Sequence, residues 1–222
     1  MRLLHSPLPA EWATLGWLFL VPFVVQTLRR WRSWPSLRGV QEHLWLAGAV
    51  VLAWLWTLQV RTVEGAAFGL IGSALYALLF GRDWARLGLL AAVAVHTALG
   101  GGSWANFGVN GALLALVPTA LVGVLQGLLE RRLPKNVFVF MIGNGMFVTL
   151  AVTAITSLSL VMASWLLRPA AASADQVAYA LLLAWGEALA SGMLFSALVI
   201  FGPHLVLTYR QDLYLPPRRG AR

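Results

Sequence analysis

The sequence predicts an all-α integral membrane protein of about seven transmembrane helices, with its N-terminus outside and its C-terminus in the cytoplasm. Three observations predict it. Of the 222 residues, 59% are hydrophobic and 11% are charged, against roughly 25% charged in a soluble domain. Apolar segments recur from residue 12 to residue 208. Basic residues gather at the ends of those segments, mostly on one side. No stretch is left for a separate soluble domain, so residues 1–222 read as one membrane domain.

A bilayer core of about 30 Å needs roughly 20 helical residues. The first span is residues 12–28. Its single upstream Arg2 and its closing Arg29, Arg30 and Arg32 make it a stop-transfer span rather than a signal peptide. The second is about 44–60, closed by Arg61, and the third about 65–80, ending at Gly81-Arg82-Asp83. The fourth, about 87–99, is short and meets Gly100-Gly101-Gly102-Ser103, a helix breaker. The fifth, about 107–129, stops at Glu130-Arg131-Arg132. Two long runs follow, 136–167 and 177–209. At about 1.5 Å per residue each is near 45 Å, which implies tilt, a kink or extension beyond the bilayer. Arg168-Pro169 ends the first, and Asp175 suits the N-cap region of the second. The Pro/Arg-rich tail 215–222 reads as mobile.

Seven spans in this register place 13 of the 16 basic residues on one side and leave Arg2, Arg61 and Arg168 on the other. The richer side is cytoplasmic by the positive-inside rule. The net charge of +8 is therefore explained by arginines flanking spans, and no nucleic-acid partner is implied. Eleven tryptophans fit aromatic belts at the lipid boundary. With no cysteine, disulfides, thiolate ligands and a cysteine nucleophile are excluded. No phosphate loop, HExxH, G-x-S-x-G or close carboxylate pair appears, so the chain reads as a non-enzyme, and any ATP is hydrolysed by another chain.

Polar residues inside apolar runs are costly and mark function or tight packing. Glu187 lies deep in the last run, either as a substrate-pathway residue or as a hydrogen-bonded packing glutamate. His96 sits one turn before the glycine break, as a metal ligand or a packing residue, since imidazole suits late transition metals. His5, ahead of the first span, is a second candidate ligand. His43 and His204 read as interfacial or packing residues. Gly101 and Gly102, with Asn106 and Asn110, form the most unusual stretch. Irregular backbone at membrane depth is tolerated only against protein or a water-filled cavity. There it offers carbonyls and amides to a ligand; the alternative is a tight outer turn. Asn144, between Gly143 and Gly145, reads as a packing amide.

Four segments in order resemble energy-coupling-factor transporter permeases of the cobalt/nickel type. Trp104-Ala105-Asn106-Phe107 with Val109-Asn110-Gly111 is similar to their "GANF…NG" segment, and Leu133-Pro134-Lys135-Asn136-Val137-Phe138-Val139 to "LPRNLFVY". Glu187-Ala188, Gly192-Met193, Pro203 and Tyr214-Leu215 resemble their last helix and tail. The resemblance is good over about 104–215 and weaker before. It implies a seven-helix, N-outside membrane subunit in the bacterial cytoplasmic membrane that binds a divalent metal outside. The implied partners are lipid, a second transmembrane coupling subunit and cytoplasmic ATPases. No covalently bound cofactor is implied; a divalent or monovalent transition metal would be substrate.

The family begins Met-His-Ile and takes the amino terminus and that histidine as ligands. Here the position is Arg2, and a guanidinium cannot coordinate a metal. Gly69 falls where the family has a third-helix histidine. Two readings stay open. His5, His96, Asn106 and Asn110 build a different site, for copper or zinc, or the chain handles a non-metal ligand or has lost transport. A non-transporting assembly protein on the same fold is the alternative function. A membrane enzyme using Glu187 and a histidine is disfavoured, since no nucleophile–base pair is legible.

Overall fold

The computed structural model describes residues 8–58, 60–61, 67–167 and 173–214. Within them the regular structure is helical apart from one small hairpin. Helices α1 (Ala10–Arg29), α2 (Val40–Leu55) and α3 (Ser73–His96) are followed by α4 (Trp104–Arg132), α5 (Val137–Leu166), α6 (Asp175–Phe201) and a final turn, α7 (Gln211–Tyr214). Between α2 and α3, β1 (Val60–Arg61) pairs antiparallel with β2 (Ala67–Phe68). Four of the helices, α1, α4, α5 and α6, are long and apolar enough to cross a membrane, and α2 is apolar at 16 residues.

The burial pattern is inverted relative to a soluble protein. Leu18, Leu182, Met193 and Phe201 are each more than 70% exposed, while Arg86, Asn106, Asn110 and Glu187 are buried. An apolar outer surface of this extent needs hydrocarbon around it. One hydrophobic cluster runs inside the bundle from Leu20 to Tyr214.

Helix α3 is not continuous. Gly81 has φ 74° and ψ 172°, a left-handed conformation open to glycine. Tyr76 lies against Gly88, and Trp56 meets both Ile71, just ahead of α3, and His96 at its end: its indole N–H donates to Ile71 O at 2.8 Å, and its ring packs edge-on to His96. Twelve residues of straight helix would separate positions 76 and 88 by about 18 Å. Gly81 therefore folds the chain back on itself, at the turn expected from the sequence. Thr208 Oγ1 and Leu207 N donate to Leu78 O and Leu79 O, satisfying carbonyls that the break exposes.

The sequence-based reading needs three corrections. The third run is helical only from Ser73, since 67–68 form a strand and 69–72 are irregular. The last run stops at Phe201, because Gly202-Pro203 cannot continue it, and residues to 209 are turns. Asp175 is the first helical residue rather than the cap, and Ser173 Oγ accepts its N–H. His5, Arg168, Pro169 and the tail 215–222 lie outside the described residues.

Close approach of backbones sets the bundle geometry. A Cβ at Gly108 would sit 2.6 Å from the carbonyl carbon of Gly16, and one at Gly16 would sit 2.6 Å from Val109 N. Helices α1 and α4 thus cross on bare backbone, as small residues permit in lipid. Gly145 of α5 and Gly192 of α6 make a second such crossing.

Candidate functional site

The end of α3 explains the glycine run. After His96 the helix widens into a π-type turn, Thr97–Gly101, with Gly100 at φ 84°. Gly102 is extended, and Ser103 Oγ then accepts from Ala105 N to start the next helical turn. His96 is buried, with Nδ1 3.2 Å from Ala53 O and its ring edge-on to Trp56, centroids 6.2 Å apart. A carbonyl partner assigns the proton to Nδ1 and leaves the lone pair on Nε2. The backbone of Gly101 lies against that side of the ring, and a Cβ there would overlap it.

Asn106 and Asn110 sit one turn apart at the start of α4, 0% and 1% exposed. Asn106 Oδ1 accepts from Leu8 N at 3.0 Å and ties the segment before α1 to α4. Asn110 differs. Among the described residues neither its Oδ1 nor its Nδ2 has a hydrogen-bond partner. A Cβ at Gly102 would be 3.9 Å from that Nδ2 and 3.7 Å from Thr97 Oγ1, so these three positions converge. A buried amide left unpaired costs about 1–3 kcal/mol. It offers one oxygen acceptor and two N–H donors to whatever completes it.

Glu187 is engaged elsewhere. Its two carboxylate oxygens accept from Ile71 N at 2.7 Å and Gly72 N at 2.8 Å, and Thr153 Oγ1 donates at 3.2 Å. Gly72, at φ 67°, caps α3, so the carboxylate of α6 fills the helix N-terminus that α3 leaves open. Irregular residues 69–72 are held at Ile71 and Gly72 by this carboxylate and by Trp56. Gly69 lies in this segment. The structure therefore brings Gly101, Gly102, Asn106, Asn110 and His96 to one end of the bundle. Among the described residues Glu187 is linked to them through Ile71 and Trp56. Among the described residues no three of His, Asp or Glu converge as a metal group, and His5 lies outside them. Asn144 packs as expected, its Nδ2 donating to Phe140 O. The His204 carbonyl accepts from Gln41 Nε2, and His43 Nδ1 pairs with Gly39 O.

Sequence reasoning missed Thr97, Trp56 and Thr153. Thr97 adjoins His96 and was within reach of inspection. Trp56 and Thr153 carried no signal, being ordinary members of apolar runs.

Residues 5–205 match the family described as the cobalt uptake substrate-specific transmembrane region. The chain belongs to that family. It is 28% identical over 145 residues to the "Cobalt transport protein CbiM" of Acetohalobium arabaticum, covering 63% of this chain. The alignment spans 57% of that relative, less than two thirds of its length. No solved structure matches. Family membership and the four long apolar helices make this a multi-pass membrane protein.

Proposed function

We propose that the chain is the substrate-binding membrane subunit of an energy-coupling-factor-type importer for a transition-metal ion, with a ligand set different from the cobalt/nickel one. It would act as one membrane domain in the bacterial cytoplasmic membrane, crossing seven times with the N-terminus outside. A second transmembrane coupling subunit and cytoplasmic ATPases would be its partners, and the chain itself a carrier, not an enzyme. The unpartnered amide of Asn110, beside His96 and the glycine turn, carries this reading. Support comes from the family match and from the arginines at the far end of α1 and in the Gly81 turn. Asn106, Asn110, Gly101 and Gly102 line the ligand position, His96 and His5 are the candidate ligands, and Glu187 shapes the pathway by fixing residues 69–72.

The test is elemental analysis of the purified full chain, untagged at its N-terminus, after equilibration with nickel, cobalt, copper or zinc. Near-stoichiometric retention of one metal, reduced at least about tenfold in Asn110→Leu, is expected. If no metal is retained and no ATPase copurifies from native membranes, the chain is an assembly protein on this fold. The internal bonds made by Glu187 and by His96 Nδ1 favour that second reading.

A further inference from the structure

A second polar region lies at the opposite end of the bundle. A cavity of about 580 Å³ opens between the end of α1, the Gly81 turn and the middle of α4. Arg30, Arg82 and Arg86 line it, with Asp83 as its one carboxylate. Arg82 Nε is 3.2 Å from Asp83 Oδ1, an ion pair open to solvent. The excess is thus two positive charges in one concave site.

Arg86 is the deciding residue. It is 6% exposed, and its partners are neutral: Nη1 donates to Thr27 Oγ1 at 2.6 Å and Nε to Thr119 Oγ1 at 3.4 Å. A guanidinium has five N–H donors in a planar fork. Two are used among the described residues, and the group lines the cavity. Among the described residues its hydrogen bonds go to hydroxyls and the nearby Asp83 is paired with Arg82, so this buried cation is costly unless a further anion completes it. A planar fork matches the oxygen pair of a phosphate.

The cavity wall is two-faced. Phe23 and Val124 border it and are themselves exposed, at 38% and 68%. Phe19 packs on Phe23, centroids 5.1 Å apart, extending the apolar rim along α1. Charge sits at the floor and hydrocarbon surface leads away from the mouth. Basic pockets between membrane helices take anionic headgroups in this way.

We propose that this cleft binds a phosphate group, Arg86 holding its oxygens with Arg30 and Arg82 closing over it. The apolar rim favours an anionic phospholipid headgroup as the source over free phosphate. The site stands apart from the Asn110 region and does not depend on metal transport.

The test uses the full chain, delipidated in detergent and then exposed to phosphatidylglycerol, to phosphatidylcholine or to inorganic phosphate. Lipid adducts are counted by native mass spectrometry and thermal protection is read in parallel. Phosphatidylglycerol should remain bound and protect, phosphatidylcholine should not. The Arg30→Gln/Arg82→Gln double variant should weaken retention by about tenfold or more, while Arg131→Gln, an exposed arginine outside the cleft, should leave it unchanged. Arg86→Lys should weaken it too; if that variant fails to fold, the double variant decides. Protection by millimolar inorganic phosphate that depends on the same arginines would keep the site but make its source free phosphate. Equal loss in Arg131→Gln, or no dependence of either ligand on the cleft arginines, would overturn the proposal.

Discussion

Glu187 and Asn110 are both polar side chains buried in an apolar bundle, at 3% and 1% exposure. Glu187 has three donors on its two oxygens. Asn110 has no partner among the described residues. The first group spends its polarity on the fold, and the second has it unspent. Position in an apolar run therefore does not tell a polar residue bonded into the fold from one that is not; the partners do. The costlier group, the carboxylate, is the one bonded into the fold.

Breaking the Glu187 side should have the largest effect. Glu187→Ala strands two backbone N–H groups at the start of α3 and frees residues 69–72. A loss of about 3–5 kcal/mol is expected, read as a large drop in thermal unfolding temperature in detergent. A value near zero would mean that the capping geometry is not stabilising. An intermediate effect is expected at Asn106, whose Oδ1 accepts from Leu8 N. Asn106→Ala should cost about 1 kcal/mol and increase proteolysis ahead of Pro9, since the Leu8 anchor is lost. Asn110 sharpens the contrast from the other direction. Asn110→Leu removes two unpartnered atoms at similar volume, so apo stability should stay within about 0.5 kcal/mol of wild type or rise. Retained metal should fall in the same variant. A strongly destabilised apo protein would show that the amide is already engaged.

Much of the fold was legible locally. Apolar run length placed α1, α2, α4 and α5 to within a few residues, because hydropathy sums along the chain. The Gly81 turn was legible because Gly-Arg-Asp interrupts an apolar run, and the Gly100 break because three consecutive glycines punctuate a helix. The sequence-based reading extended the third span back to Gly65, since residues 65–72 are apolar enough for helix. At Ile71 and Gly72 helical hydrogen bonds are instead replaced by bonds to Glu187 and Trp56, 115 residues and 16 residues away from Gly72. The last span was read too long because 204–209 are apolar, yet Leu207 and Thr208 are drawn to the carbonyls of 78 and 79.

The site divided in the same way. The cluster of Gly101, Gly102, Asn106 and Asn110 was visible because its members are near in sequence. Separation of Glu187 from it was not, and neither was the arginine cleft. Arg82 and Arg86 read as flanking charge, which fits a helix end. That Arg86 is instead buried between Thr27 and Thr119 depends on α1 and α4 crossing at Gly16 and Gly108.

By itself the sequence determined that this chain lives in a membrane and where most of its helices run. Those properties follow from side-chain transfer energies and charge, which belong to each residue. Only the tertiary structure decided which buried polar groups have hydrogen-bond partners among the described residues and which do not. A hydrogen bond needs two atoms within about 3 Å, and which atoms meet is settled by helix packing rather than by spacing along the chain.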